Sequence, residues 1–338
     1  MGPDVSPDDP IVPSLRERLR AIVAPHLPQG EAYALLGYPA YANVGDSAIW
    51  LGALALLRAH GAGRPRYTCT AHTFDAEALR RQVPRGTLLL TGGGNFGDLY
   101  PSHQRMREQV VQAFPGHRIV QLPQTIHYRD ERALAASRRV LEAHDDFTLL
   151  VRDDRSLALA REGLGVRSAP CPDLAFALGP RAVRRAPDRD VVWLLREDHE
   201  RAPAQPRGPR PPAAVDWPAE PRRGLFGLQR RLRRSVAKAP ARRTRKADLL
   251  QRTFAPVARA RVHAGIDLLA SGRAVVTDRL HGHVLCVLLA IPHVFLDNSY
   301  GKNKAFHERW TAGVPTVRWS SGAEETARHL EDLASATA

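Results

Sequence analysis

The sequence predicts an α/β fold in which two domains, each a parallel sheet covered by helices, face one another across a cleft. Three observations lead there. Short apolar runs alternate with helical segments along nearly the whole chain, the pattern of parallel strands joined by crossover helices. The length of 338 residues is long for one core and comfortable for two. Residues capable of chemistry gather directly after the apolar runs, at the carboxyl ends of strands, where such sheets hold ligands.

In the first domain, residues 1–185, the segment EAYALLG at 31–37 reads as a strand and the loop YPAYANVGD follows. Asp46 then stands where it would cap a helix running to Gly61. A strand at 66–70, a helix near 74–82 and the strand TLLL at 87–90 come next, and TLLL enters a glycine-rich loop, TGGGNFGD, ahead of a helix at about 100–114. The strand HRIVQL leads into a loop PQTIH, a helix covers 129–144, and the strand FTLLV runs into RDDRS, the start of another helix. CPDLAFALGP closes the domain. The second domain, 186–338, opens on the strand VVWLL, whose end carries Arg196, Asp198 and Glu200. After a proline- and arginine-rich insertion at about 202–246, a long helix spans about 247–270. Residues 274–297 read as a strand, a loop carrying Arg279, His281 and His283, an apolar helix from about Val284 and another strand. NSYGKNKAF, a strand near 314–319 and a helix to about Leu333 complete the chain.

A hydrophobic fraction of 43% and a charged fraction of 25% are those of a soluble globular protein. Cys69, Cys171 and Cys286 sit in apolar surroundings without CxxC spacing, so they read as reduced and buried, with no disulfide or zinc role. The N-terminal MGPDVSPDDP is not a signal sequence, and no apolar run approaches the roughly 18 residues needed to span a bilayer. The protein is therefore read as cytoplasmic, or at most peripheral at the inner face of the membrane. Most of the net charge of +14 lies between Arg207 and Lys246, where Asp216 and Glu220 are the only acids. No zinc-finger, helix-turn-helix or aromatic RNA-binding signature accompanies it, so nucleic acid is not expected as a partner. Within it, Leu225, Leu228, Leu232 and Val236 recur at helical spacing among arginines. Such a helix can lie on an anionic membrane surface or pack its narrow stripe on its own domain.

Four strand ends share one rim: Asn43, Gly45 and Asp46; Gly92 to Asp98; Gln124, Thr125 and His127; Arg152, Asp153 and Ser156. Gly92 to Gly97 matches G-x-G-x-x-G, but it follows the third strand, and the next strand ends QLPQ where a dinucleotide fold wants an acid. Nicotinamide or flavin binding is not expected. Arg196, Arg279, His281 and Lys302 would line the cleft opposite this rim. An arginine and two histidines at a strand-to-helix turn suit an anion held at a helix N-terminus. Alternatively Arg279 pairs with a structural carboxylate such as Asp278 or Asp297, the histidines cap the helix, and Asp46 and Asp98 are caps as well.

Taken in order, ANVGDSAI, TGGGNFGD, LPQTIH, the Arg, Asp and Ser of RDDRS, CPDLAF, the Arg, Asp and Glu of LLREDHE, DRLHGH and DNSYGKN resemble the polysaccharide pyruvyltransferase family. The resemblance runs from about residue 41 to 303 and has no counterpart for the basic insertion. It implies two Rossmann-like domains of the GT-B type and transfer of pyruvate from phosphoenolpyruvate onto two sugar hydroxyls as a cyclic ketal, in cell-surface polysaccharide synthesis. By position, it implies that Arg196, Arg279, the Leu280 backbone and His281 hold phosphoenolpyruvate and that His281 is the acid. The chemistry asks for such groups: guanidinium binds carboxylate and phosphate bidentately, and an imidazolium can protonate the methylene carbon. Lys302 joins the donor set. Asp98 or Asp46 would serve as base, His283 is an alternative acid, and Asn43, Gly94, Asn95, Gln124, His127, Asn298 and Tyr300 would face the acceptor. No metal or cofactor is expected beyond the co-substrate. The competing reading is a GT-B-type glycosyltransferase using a nucleotide sugar.

Overall fold

The computed structural model describes residues 11–183, 186–198, 200, 214–238 and 245–336. Among these, every strand pairing is parallel, and the strands form two sheets.

The chain enters through helix α1 (Ile11–Val23), a helix not anticipated from the sequence although Val12, Leu15, Leu19 and Val23 follow helical spacing and are buried. Then come β1 (Tyr33–Leu36), α2 (Val44–Ala59), β2 (Tyr67–Cys69), α3 (Ala76–Gln82), β3 (Thr87–Leu90), β4 (Gly93–Gly97), α4 (Pro101–Ala113), β5 (Arg118–His127), α5 (Glu131–Glu142), β6 (Phe147–Val151), α6 (Asp154–Ala158) and β7 (Arg167–Pro170). The first sheet has the order β2-β1-β3-β5-β6-β7, with β4 continuing beside β5. The second is built from β8 (Arg189–Leu194), α7 (Gly224–Ala237), α8 (Arg245–Leu269), β9 (Gly272–Thr277), α9 (Leu280–Leu289), β10 (His293–Leu296), α10 (Lys302–Trp310), β11 (Val317–Ser320) and α11 (Ala323–Ala336), with strand order β11-β10-β9-β8.

Both faces of the first sheet are buried, which is why its strands are unbroken apolar runs rather than alternating ones. Successive residues point to opposite faces: Leu36, Leu88, Ile119 and Leu149 pack with Leu79, Val110 and Leu141 on one side. On the other, Leu35, Leu89, Val120 and Leu150 belong to an apolar cluster that continues through α1, α2 and α8 to Val192, Val275, Leu285 and Phe295 of the second sheet and α9. The two sheets thus share a core, and the carboxyl ends of their strands meet beside it.

Four local expectations are corrected. The glycine-rich stretch is a strand, not a loop: β4 pairs Gly93 with Gln124 and Gly97 with His127. Gly97 has φ +113°, and a Cβ there would lie 1.8 Å from the His127 carbonyl oxygen, so only glycine lets the two backbones close. PQTIH is likewise part of the single strand β5, with Pro123 at an irregularity in the ladder. Helix α9 begins at Leu280, so His281 and His283 lie in its first turn rather than in a loop. Asn43, not Asp46, caps α2: its Oδ1 accepts the Asp46 N–H at 3.2 Å.

Part of the basic insertion, 202–213 and 239–244, lies outside the described residues, as does the N-terminal decapeptide. The described part is integrated into the fold. Val215 pairs with β8, donating to Trp193 O and accepting from Leu195 N, each at 2.9 Å. On α7, Leu232 and Val236 are buried, and Gln229 donates to Tyr38 Oη at 3.2 Å. The apolar stripe is mostly consumed internally, leaving Leu225, Arg231, Arg234 and Lys238 exposed. No helix among the described residues is long and apolar enough to cross a membrane. The three cysteines are free and buried.

Candidate functional site

A cleft opens where the carboxyl ends of both sheets meet. The first sheet contributes Asn43 and Asp46 from the start of α2, Tyr41 before it, Gly94 and Asn95 from β4, Tyr100, and Arg152 after β6. The second contributes Arg196, Asp198 and Glu200 after β8, Arg279, Leu280 and His281 after β9, Lys302 at the start of α10, and Trp217 from the insertion. A larger groove of about 850 Å³ lies between α2 and α8. Its charged side chains, Arg58, Arg64, Asp248, Arg252 and Arg259, are exposed, whereas the cleft gathers buried charges whose desolvation has to be compensated. The cleft is therefore the candidate site.

Backbone geometry fixes the loops that the second sheet contributes to the cleft. Thr277 Oγ1 donates to Leu194 O and accepts from Arg279 N, which holds the start of α9 against the end of β8. Asn303 Nδ2 donates to the carbonyls of Asp278 and Leu296, tying α10 to the same point. Arg196, Arg279, Lys302 and Arg152 are each less than a tenth exposed and converge on the cleft. All four are paired with acids. Arg196 makes a two-pronged contact with Asp198 at 2.8 and 2.9 Å and meets Glu200 at 3.1 Å. Arg279 pairs with Asp216 and lies 3.5 Å from Asp198. Lys302 pairs with Glu200, which also accepts the Tyr100 hydroxyl at 2.8 Å from across the cleft. Arg152 donates to Asp173 at 2.5 Å.

These pairings set the ionisation of the acids. Burial opposes the charge on Glu200, but Lys302 and Arg196 outweigh it and hold the carboxyl well below its ordinary range. Burial likewise opposes the charge on Asp198, and the Arg196 guanidinium reverses the direction. Tyr100 moves upward, through burial and then the Glu200 charge. The Nε atoms of Arg152 and Arg279 are buried with no hydrogen-bond acceptor. An anion with more oxygens than a carboxylate would satisfy what the internal acids leave open.

His281 is seated by both halves of the molecule. Its ring lies against Gly45, where an added Cβ would stand 2.4 Å from Cγ and Nδ1. Its Nε2 is 3.5 Å from Asp173 Oδ2. The backbone at Gly45 is ordinary helix, so the requirement for glycine there is one of approach and not of dihedral angle.

The cleft collects Asn43, Asp46, Gly94, Asn95, Arg196, Arg279, Leu280, His281 and Lys302 as the sequence anticipated. Five expected residues are not in its lining. Asp98 accepts the N–H groups of Arg129 and Asp130 at 2.7 and 2.8 Å, holding the chain ahead of α5, so the expectation of a base there is corrected. Gln124 is fully buried and orients Asn95, accepting its N–H at 3.2 Å and donating to its Oδ1 at 3.1 Å. Asn298 accepts the Lys302 N–H at 3.0 Å. His127 and Tyr300 lie against each other at the rim with ring centres 4.6 Å apart and their planes tilted by 39°, and Tyr300 donates to Glu200 at 3.4 Å.

His283 is corrected as an alternative acid. It is fully buried, its Nδ1 is 2.8 Å from His293 Nε2 and its Nε2 is 2.9 Å from Thr311 Oγ1. His293 Nδ1 donates to Ile291 O at 2.8 Å, and with both rings neutral its Nε2 accepts from His283 Nδ1. Burial pushes both titrations down, that of His293 to about 4. Arg279 does pair with carboxylates, but with Asp216 and Asp198 rather than with Asp278 or Asp297. Asp216, Trp217 and Asp173 were not anticipated as site residues. The available signal for Asp216 was its position as one of two acids in a strongly basic stretch.

A family model described as polysaccharide pyruvyl transferase matches residues 43–300, a span containing nearly the whole cleft. The chain belongs to that family. Over 291 residues, 83% of this chain and 70% of the relative, it is 33% identical to pyruvyl transferase 1 of Schizosaccharomyces pombe. Over 310 residues, 90% of this chain and 93% of the relative, it is 30% identical to EpsO of Bacillus subtilis. An uncharacterized protein from Klebsiella pneumoniae has the same fold, with a TM-score of 0.62 at 16% identity, covering 91% of this chain and 99% of that one. As a pyruvyl transferase family member, the chain is a transferase with a polysaccharide sugar as acceptor. Its Arg279, Leu280 and His281 line the cleft within the matched span.

Proposed function

We propose that the protein transfers pyruvate from phosphoenolpyruvate to two hydroxyls of one sugar as a cyclic ketal, during synthesis of a cell-surface polysaccharide, with the two sheets acting as the halves of a GT-B-like pair. The observation that carries this reading is the convergence of Arg196, Arg279, Lys302 and Arg152 beside His281 in one cleft. Phosphoenolpyruvate brings a carboxylate and a phosphate, and planar guanidinium groups match both. Asp198, Glu200 and Asp216 stand against these cations, so donor binding exchanges internal ion pairs for substrate ones.

The acid is His281. Its proton goes to the methylene carbon, positive character develops on the neighbouring carbon, and a sugar hydroxyl adds there while its own proton passes to a base. Asp46 fits that role, because it lines the cleft and its carboxylate is oriented by the Tyr41 hydroxyl at 2.8 Å. Cleavage of the carbon–oxygen bond to phosphate and addition of the second hydroxyl close the ketal and release inorganic phosphate. Asn43 and Asn95 are available to hydrogen-bond the acceptor; Gln124, His127, Asn298 and Tyr300 act from behind or beside them. The reading places the reaction in the cytoplasm, with Arg231, Arg234 and Lys238 presented to an anionic membrane surface.

Calorimetry with phosphoenolpyruvate on the wild type, Arg279→Ala and His281→Ala tests the donor site. The expected result is binding to the wild type and to His281→Ala and none to Arg279→Ala. Absence of binding to the wild type, with a nucleotide sugar binding instead, overturns the proposal in favour of glycosyl transfer.

A further inference from the structure

Asp173 lies in CPDLAF, a segment with no role in the reaction described so far. It is wholly buried in the short turn after β7, where its Oδ1 accepts the Ala175 N–H at 2.8 Å and its Oδ2 faces both Arg152, at 2.5 Å, and His281 Nε2, at 3.5 Å. The Nε2 atom is itself buried and lacks an aligned hydrogen-bond partner. The ring as a whole is 13% exposed and lines the cleft. Its Nδ1 edge lies over Gly45, at the start of α2.

We infer that Asp173 is the positioning residue of the acid: it holds the Nε2–H edge of His281, so that Nδ1 is the nitrogen that delivers a proton into the cleft. The role in turnover rests on the pyruvyl-transfer reading; the tautomer does not. Asp173 is suited to the task because it stays ionised. Burial opposes its charge, but His281 and Arg152 together hold its carboxyl well below the ordinary range. The other groups packed around His281 do not compete. His283 on the same helix is neutral, Gly45 of α2 brings no charge, and Asp46 beside it faces the cleft. A carboxylate on one imidazole nitrogen fixes which nitrogen is free for chemistry.

The test uses full-length protein labelled with nitrogen-15 at histidine. The His281 resonances are assigned by their loss in His281→Gln, and the tautomer is read from the nitrogen shifts without substrate. At a pH where the ring is neutral, the expected wild-type result is protonation at Nε2, with the preference weakened in Asp173→Asn. A wild-type ring protonated at Nδ1 overturns the inference, whether or not Asp173→Asn folds. In turnover, Asp173→Asn is expected to lower kcat by on the order of 100-fold or more, with the phosphoenolpyruvate KM within about threefold. A lowered kcat at unchanged KM, together with the altered tautomer preference, is a combination that a purely structural residue would not produce. Unchanged kcat in Asp173→Asn would also overturn the inference. A wild type that binds no phosphoenolpyruvate fails the functional reading and leaves the tautomer result standing.

Discussion

Glu200→Gln probes the charge balance that makes the cleft specific. Glu200 is 4% exposed and contacts Lys302 and Arg196, themselves 7% and 8% exposed, while accepting the Tyr100 hydroxyl from the opposite side. Glutamine keeps the shape and can still accept from Tyr100, but it removes the negative charge. Arg196 retains Asp198; Lys302 is left as a buried cation with no acid in contact among the described residues. Leaving one partner of a buried ion pair uncompensated costs about 3–5 kcal/mol, and the lower end applies here because the hydrogen bond survives. Urea denaturation at pH 7.5 should therefore show Glu200→Gln less stable than the wild type by about 3 kcal/mol. Added phosphoenolpyruvate or phosphate should narrow the gap, since an anion on Lys302 restores the missing charge and ligand binding stabilises by mass action. The pH dependence has a definite sign. Because the folded carboxyl titrates below its ordinary value of 4.5, its contribution is complete above that pH and is lost as pH falls through the folded value, so the gap should start to close below about pH 4.5. A difference under about 1 kcal/mol at pH 7.5, unmoved by either anion, would refute the reasoning that Glu200 is the counter-ion displaced by the donor.

Three further outcomes are expected. Gly45→Ala places a Cβ 2.4 Å from the His281 ring and must displace it; a shift of about 1 Å at a catalytic group costs roughly 100-fold in turnover, to be measured against phosphoenolpyruvate affinity, which should stay within a few-fold. Asp46→Asn should lose about 100-fold or more in pyruvyl transfer, whereas Asp98→Asn should keep its turnover and lose about 1 kcal/mol of stability, because Asp98 only accepts the N–H groups ahead of α5. The buried His283–His293 pair makes the fold acid-sensitive: the unfolded chain takes up protons near 6.5 and folded His293 only near about 4, so stability should fall by about 3 kcal/mol across that window. Urea midpoints between pH 7 and 4 should show a shallower slope for His293→Gln than for the wild type.

Much of the fold was legible because local forces write it. Runs such as TLLL and FTLLV are apolar on both faces and too short for helices, so they announce buried parallel strands, and the caps and apolar helices between them supply the crossovers. The rim was legible for the same reason, since a parallel sheet sends the residues after its strands to one edge. The misreadings occurred where a partner distant in sequence decides. The glycines from Gly92 to Gly97 look like a phosphate loop until β5 is beside them, and they then serve close backbone pairing. Asp98 and Asp46 are alike in sequence, yet one is taken up by the backbone ahead of α5 while the other faces the cleft. His281 and His283 are two residues apart on one helix, and opposite sides of that helix meet a cleft and a sealed core.

By itself the sequence determined the α/β class, the strand ends that carry the cleft, the family and four residues that line the cleft, Arg196, Arg279, His281 and Lys302. The tertiary structure decided which charges meet. It set Asp216 of the basic insertion on Arg279, Glu200 between Lys302 and Tyr100, and Asp173 behind His281, pairings separated by 63, 102 and 100, and 108 residues. The physical reason is one of range. Backbone propensity and apolar periodicity act over a few neighbouring residues, whereas ionisation depends on burial and on charges a few ångströms away in space, which only the packed chain brings together.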